Sequence, residues 1–180
     1  MEPSHQRFRR LLGPVHDAAR SFARGVSRSR VDGDDLFQEA LLRALAKLDG
    51  LRDDSAFRPW LFRVIVSVHR NRSRRAFWRR LLPLGGDERD DATATDEALG
   101  AVQRARLALA TLPSDQRETI VLFEIDGWQV DEIAALHGVS ASAVKSRLAR
   151  GRDRLRAFYT RRFGASMPAA SAALVPGDTP

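Results

Sequence analysis

The sequence predicts an all-α protein: two small helical domains joined by a flexible acidic linker, the second carrying a helix-turn-helix. Three observations carry this. Apolar side chains recur at steps of three and four along most of the chain. Residues 83–96, PLGGDERDDATATD, break that periodicity, with few apolar side chains and, after Gly86, five acids to one Arg. Residues 131–156, DEIAALHGVSASAVKSRLARGRDRLR, read as two short helices joined by a tight turn. The expected boundaries are 1–82 for the first domain, 83–96 for the linker and 97–162 for the second domain. A small-residue, Pro-rich stretch over 163–180 is expected to be a disordered tail.

Composition limits what the chain can be. Its 180 residues are 43% hydrophobic, enough for real cores and too many for a wholly disordered protein. The net charge of +7 and the pI near 11.1 favour a polyanionic partner. Cysteine is absent, which excludes a disulfide scaffold, a thiolate metal site and a cysteine redox switch. The opening MEPSHQRFRRLL lacks the apolar core of a signal peptide, and no apolar run approaches the roughly 18 residues of a membrane span. The expectation is a soluble, cytoplasmic protein without membrane insertion.

In the first domain, Phe8, Leu11, Leu12, Val15, Ala19, Phe22 and Val26 follow helical spacing. Pro14 inside that pattern predicts a kink or break near Gly13. Asp32-Gly33-Asp34 reads as a turn, with Asp32 or Asp34 capping the next helix. That helix, 35–48, puts Phe37, Ala40, Leu41, Ala44, Leu45 and Leu48 on its core face. Leu42 lies off this stripe among Gln38, Glu39 and Arg43. It is either a lone exposed leucine or the centre of a protein-docking surface.

After a polar connection over 49–58, Pro59 fits the first position of a helix running to about Arg75. Trp60, Leu61, Val64, Ile65 and Val68 form its buried arc. Arg63, Ser67, Arg70 and Arg74 form a ridge along one edge, with Phe62, Val66 and His69 beside it, away from the core. From His69 to Arg80 there are six Arg and no acid. That pattern suits nucleic acid, with guanidiniums on phosphate and a ring stacked on an unpaired base. A solubilising surface is the plain alternative. An anionic-membrane helix needs more apolar area on its outer face.

In the second domain, Leu99, Val102, Ala105, Leu109 and Leu112 share a helical face. Pro113 and Ser114 open the next helix and Gly127 closes it. Its apolar content is Ile120, Val121, Phe123 and Ile125, and Trp128 can pack into the junction. In the helix-turn-helix, Ile133, Ala134 and Leu136 face inward, Gly138 supplies the positive φ that ends the first helix, and Ser140 caps the second. Val144, Leu148, Gly151, Leu155 and Phe158 then form a narrow buried stripe. The opposite face holds Ser142, Lys145, Ser146, Ala149 and Arg150. From Ser140 to Arg162 there are eight Lys or Arg and one acid. Short side chains at the helix start admit the backbone to base edges while cations hold phosphates, so this helix is expected to bind DNA.

No active site is legible. His5, His16, His69 and His137 lack metal-ligand spacing. Asp34, Asp35 and Glu39 are explained by a helix start, and Gly85-Gly86 lacks the Lys-Ser or Lys-Thr of a phosphate loop. The reading is a non-enzyme with no catalytic residue, no metal and no cofactor.

The motifs stand in a recognisable order. DDLFQEALLRALAKL, FRPWLFRVIVSVHRNRSRR, an acidic linker and LPSDQRETIVLFEIDGWQVDEIAALHGVSASAVKSRLARGRDRLR together resemble a bacterial RNA polymerase sigma factor, in the short two-domain form of the extracytoplasmic-function (ECF) group. The resemblance covers about residues 5–160 and is strongest over EIAALHGVSASAVKSRLARGRDRLR. It implies that Asp35, Gln38, Glu39, Leu42 and Arg43 dock on the clamp coiled coil of the largest polymerase subunit. It implies that Arg63, Ser67, Arg70 and Arg74 face the −10 promoter element, and that the 49–58 loop helps hold a base of the opened strand. Ser142, Ala143, Lys145, Ser146, Arg147 and Arg150 are implied at the −35 element, and the linker near the RNA exit path. The implied partners are core RNA polymerase, promoter DNA and, as often in the family, an anti-sigma factor that grips both domains.

Two places depart from the family pattern. Ser67 stands where the family has Asn, and Val66 where it has a basic residue. A hydroxyl cannot make the bidentate contact of an amide, so a different −10 preference is implied. Ser142-Ala143 replaces Gly-Thr, and both residues are small enough to keep close approach. Two other readings compete. A stand-alone helix-turn-helix regulator predicts dimerisation, a palindromic site and no role for the Leu42 surface. A nonspecific nucleic-acid-binding protein predicts steep salt dependence and little base preference.

Overall fold

Pro14 ends the first helix, as its place in the pattern predicts. The computed structural model describes residues 3–81 and 100–164. In it α1 (Ser4–Leu12) gives way to a 3₁₀ turn over Gly13–Val15, and α2 (His16–Val26) follows. α3 (Arg30–Lys47) and α4 (Phe57–Leu81) complete the first domain. The second domain comprises α5 (Ala101–Ala110), α6 (Ser114–Ile120), α7 (Val130–His137) and α8 (Ala141–Phe163). Among the described residues there is no strand, and the all-α expectation of two helical domains holds. The expected linker over 83–96, Leu99 and the tail beyond Gly164 lie outside the described residues.

α3 begins earlier than the sequence predicts. Its cap is Ser29, whose Oγ accepts the Asp32 amide at 3.0 Å, and Asp32-Gly33-Asp34 lies inside the helix. Gly33 is explained by packing. A Cβ there would stand 2.5 Å from Arg24 Cα, so glycine is what lets α3 meet the α2 backbone. The buried stripe is rotated from the expected one: Leu36 joins Phe37, Ala40, Ala44 and Leu48, while Leu41 is half-buried and Leu45 is 39% exposed.

α4 starts at Phe57, which makes Pro59 its third residue, still in the turn whose amides have no intrahelical acceptor. Leu61, Ile65 and Val68 are buried as expected, with Trp60 and Val64 half-buried. Phe62, Val66 and His69, expected to face outward, are buried too. The reason is tertiary. Phe62 lies between Phe22 (ring centroids 5.2 Å apart) and Trp128 of the second domain (4.9 Å). Arg58 stands over the same indole, 4.6 Å from its centroid. α4 is thus the element on which both domains close, and their cores run together.

The helix-turn-helix forms for the reasons the sequence gives. Gln129 and Glu132 make a reciprocal capping box that opens α7, with the Gln129 amide 2.8 Å from Glu132 Oε2. Gly138 ends α7 at φ +66°, and Ser140 Oγ accepts the Ala143 amide at 3.2 Å to start α8. Val144, Leu148, Gly151, Leu155 and Phe158 are all buried. The one local surprise is a widened π turn over Val121–Ile125. Its extra residue shifts the register, so Leu122 is buried while Phe123 and Ile125 are half-buried.

Candidate nucleic-acid interface

The cap at Ser140 and the buried stripe turn one side of α8 outward. Ser142, Lys145, Ser146, Ala149 and Arg150 are exposed on it. None of Ser142, Lys145, Ser146 and Arg150 has a hydrogen bond or ion pair among the described residues. Ala143 is half-buried behind the cap. Arg147 is also half-buried and turns back into the domain: its Nε is 3.3 Å from Asp115 Oδ2, and its Nη1 donates to His137 Nδ1 at 3.2 Å. The free cations of this face are therefore Lys145 and Arg150.

On α3, Asp35, Gln38 and Leu42 are exposed in line at steps of three and four, Leu42 at 70%. Glu39 and Arg43 beside them are half-buried and tied down. Arg43 Nη2 donates to Glu39 Oε1 at 2.6 Å, Arg72 Nε to Glu39 Oε2 at 2.7 Å, and Arg72 Nη2 to the Asp35 carbonyl at 3.0 Å. A bare leucine thus sits on a polar frame that α4 holds in place.

The ridge Arg63, Ser67, Arg70 and Arg74 runs along an exposed edge of α4, but the second domain uses part of it. Glu118 of α6 is 0% exposed and points at this edge. Arg70 donates to its Oε2 from Nη2 at 2.8 Å and from Nε at 3.1 Å, and His69 Nδ1 lies 2.8 Å from Oε1. An ionised carboxylate only accepts, so Nδ1 carries the proton. Arg63 Nη2 reaches the Ala135 carbonyl at 3.4 Å, and Arg74 Nη2 donates to Asn71 Oδ1 at 3.0 Å. Ser67 makes no hydrogen bond among the described residues.

The electrostatics of this seam are set by burial. Burial pushes the Glu118 carboxyl up, but the His69 hydrogen bond and the Arg70 charge outweigh it and hold the group below its ordinary value. His137 closes the far side, with Nε2 3.7 Å from Glu118 Oε2. Burial pushes its pKa down to about 4, so it is neutral at pH 7. Arg117 donates to the carbonyls of Val26 (2.9 Å), Ala110 (3.0 Å) and Leu112 (2.9 Å). Burial pushes its guanidinium down to about 10, still cationic, against the negative ends of α2 and α5. Sequence reasoning missed Arg117 and Glu118. Gln116, Arg117, Glu118 and Thr119 are consecutive polar residues and all are buried, so hydropathy carries no signal there.

Among the described residues, no group of three or more His, Asp or Glu is placed to hold a metal ion, and no helix is long and apolar enough to cross a membrane. The family described as Sigma-70 region 2 matches residues 8–79, and Sigma-70, region 4 matches residues 102–155. Over 149 residues the chain is 37% identical to the ECF RNA polymerase sigma factor SigM of Mycobacterium tuberculosis, covering 82% of this chain and 74% of that protein. The chain belongs to the ECF sigma factors. The ECF RNA polymerase sigma-E factor of Escherichia coli is 33% identical over 143 residues, 71% of this chain and 75% of that one. Among solved structures, this sigma factor resembles Bartonella quintana RpoE in complex with the anti-sigma factor NepR. The TM-score is 0.64 at 29% identity, over 85% of this chain and 96% of that one. It also resembles CnrH in complex with the cytosolic domain of CnrY, with a TM-score of 0.61 at 30% identity over 86% and 88%. As an ECF sigma factor it binds core RNA polymerase and directs promoter recognition and transcription initiation.

Proposed function

We propose that this sigma factor docks on the polymerase clamp through Asp35, Gln38, Glu39, Leu42 and Arg43. It meets the −10 element through Arg63, Ser67, Arg70 and Arg74, and the −35 element through Ser142, Ala143, Lys145, Ser146 and Arg150. Arg147, anchored on Asp115, positions the helix that carries the last set. The units are 1–82 and 97–162, and the intervening segment 83–96 tethers them so that the second DNA contact is effectively intramolecular. The protein supplies recognition and strand opening to a polymerase that does the chemistry, in the cytoplasm. RpoE was solved with an anti-sigma factor and CnrH with the cytosolic domain of CnrY, and an anti-sigma partner is proposed here too.

The observation that carries this reading is Leu42, 70% exposed on a face that Arg43 and Arg72 hold rigid. A regulator that touched only DNA would have no use for that surface. A consequence follows at the other face. Arg70 and Arg63 are engaged by the second domain, so DNA at the −10 ridge displaces Glu118 and Ala135, and the seam opens when promoter is bound.

The test is in vitro transcription with purified core polymerase and a promoter pool from the source genome. Discrete new start sites sharing two upstream elements are expected, weakened by Leu42→Glu, by Arg70→Ala and by Arg150→Ala. Start sites unaffected by Leu42→Glu would remove α3 from the polymerase interface.

A further inference from the structure

Between α2, the start of α3 and α5 lies a cleft of about 450 Å³ that none of the surfaces above uses. Arg20 and Arg24 form one wall, Val102, Arg106 and Leu109 the other, and Arg30 stands at the start of α3. Its charges do not balance. Arg20 and Arg24 share a single carboxylate, that of Asp34: both Nε atoms lie 2.9 Å from Oδ1, and Arg24 Nη2 lies 2.9 Å from Oδ2. Asp17, the other acid at the cleft, is fully exposed and hydrogen-bonded to His16. Arg30 and Arg106 have neither a hydrogen bond nor an ion pair among the described residues. Four guanidiniums against Asp17 and Asp34 leave two positive charges uncompensated.

Close backbone packing shapes the cleft while the seam is closed. A Cβ on Gly33 would stand 2.5 Å from Arg24 Cα, and one on Gly25 would stand 2.9 Å from Val121 Cγ1. α2 is therefore packed closely against α3 on one side and, while the seam is closed, against Val121 of the second domain on the other. Arg106 is half-buried, and burial together with the charges of Arg30 and Arg24 pushes its guanidinium below the ordinary value. A bound anion would relieve that repulsion. Guanidinium is the group that meets phosphate oxygens with two parallel hydrogen bonds. Val102, 39% exposed, offers an apolar surface next to those donors, and the buried Leu109 closes the lining on the same helix. The volume falls within the roughly 300–1,000 Å³ usual for small-molecule sites.

We propose that this cleft binds an organic phosphate of nucleotide size, its phosphoryl group held by Arg30 and Arg106 and its organic part laid against Val102. Its walls come from different domains, α2 and α3 from the first and α5 from the second. Occupancy therefore ties the domains together and favours the arrangement in which Glu118 holds Arg70.

The test is calorimetric titration of the full chain with ADP, adenosine and pyrophosphate, paired with thermal unfolding. ADP is expected to bind at least as tightly as pyrophosphate and to raise Tm, and adenosine to give no heat at about 1 mM. Arg30→Gln and Arg106→Gln are each expected to weaken ADP at least about tenfold, the loss of one charge-assisted contact. Arg161→Gln, on the exposed last turn of α8, is expected to leave it unchanged. The assignment is overturned if neither ADP nor pyrophosphate binds at about 1 mM. It is equally overturned if the cleft variants bind like the parent, or if Arg161→Gln weakens binding as much as Arg106→Gln does. ADP binding more weakly than pyrophosphate overturns the role of the apolar wall.

Discussion

Replacing Glu118 by glutamine keeps the shape of the seam and removes its charge. In the parent the carboxylate is 0% exposed and receives three hydrogen bonds, one from His69 and two from Arg70. Hydrogen bonds to a charged group are worth about 1.5–3 kcal/mol each, and removing one member of a buried pair costs about 3–5 kcal/mol. Two features lower that figure here. The Arg70 side chain is 42% exposed and can turn to water, and the glutamine oxygen still accepts from His69. A loss of about 2 kcal/mol in closure of the seam is the reasonable figure, roughly a 30-fold change in its equilibrium constant. If Glu118 masks the −10 ridge, Glu118→Gln frees Arg70, so the isolated protein binds a single-stranded −10 fragment more tightly and its radius of gyration in scattering increases. The double variant Glu118→Gln/Arg70→Ala loses the gain in affinity. An unchanged affinity and radius in Glu118→Gln would refute the masking argument, as would a gain that survives the loss of Arg70.

Three further outcomes are expected. Leu42→Glu puts a charge on a side chain that is 70% exposed, so Tm should move by only a degree or two while affinity for core polymerase falls at least about tenfold; unchanged affinity in a pull-down or titration would sink the docking assignment. Arg150→Ala should weaken −35-dependent initiation by about 1–3 kcal/mol and leave polymerase binding intact, so equal loss of both would contradict its place on the DNA face. Asp126 has a buried, unpaired Oδ2, and burial pushes its pKa up to about 7 against the partial opposition of Arg58. A raised folded pKa means its contribution is complete below about 4 and is lost as pH rises through about 7. Asp126→Asn should therefore unfold at a higher temperature than the parent at pH 8 and show a smaller advantage at pH 5. Equal melting temperatures at pH 8 would remove Asp126 as a source of strain.

The buried His137 and the seam carboxylate add an acid limb to the same stability curve. His137, pushed down to about 4, contributes stability that is complete above the unfolded value of 6.5 and is lost as pH falls from there toward 4. Glu118, held below its ordinary value, acts in the same direction: its contribution is present above about 4.5 and is lost as pH falls further. His69 and Arg70 from α4, Arg147 from α8 and Asp115 from α6 are the charged or titratable groups around this pair.

What the sequence determined by itself is what depends on neighbours a few residues away. The break at Pro14, the positive φ at Gly138, the Ser140 cap and the α8 stripe from Val144 to Phe158 are all local, and all are as expected. So is the exposure of Leu42, which lies off the apolar arc of α3 and is 70% exposed. The Arg43 and Arg72 ties that hold its frame are tertiary in part, but they do not alter that face. Only the tertiary structure decided which polar and apolar groups have a second domain to meet. Gly33 reads as a turn residue until the α2 backbone is found 2.5 Å from where its Cβ would be. Phe62 and His69 read as an outward face until Trp128 and Glu118 close over them. Glu118 carries no local sign of its burial. Burying a carboxylate is unfavourable unless hydrogen-bond donors and a counter-charge come to it, and here they come from residues 48 and 49 positions away in the chain, a distance that no local periodicity encodes.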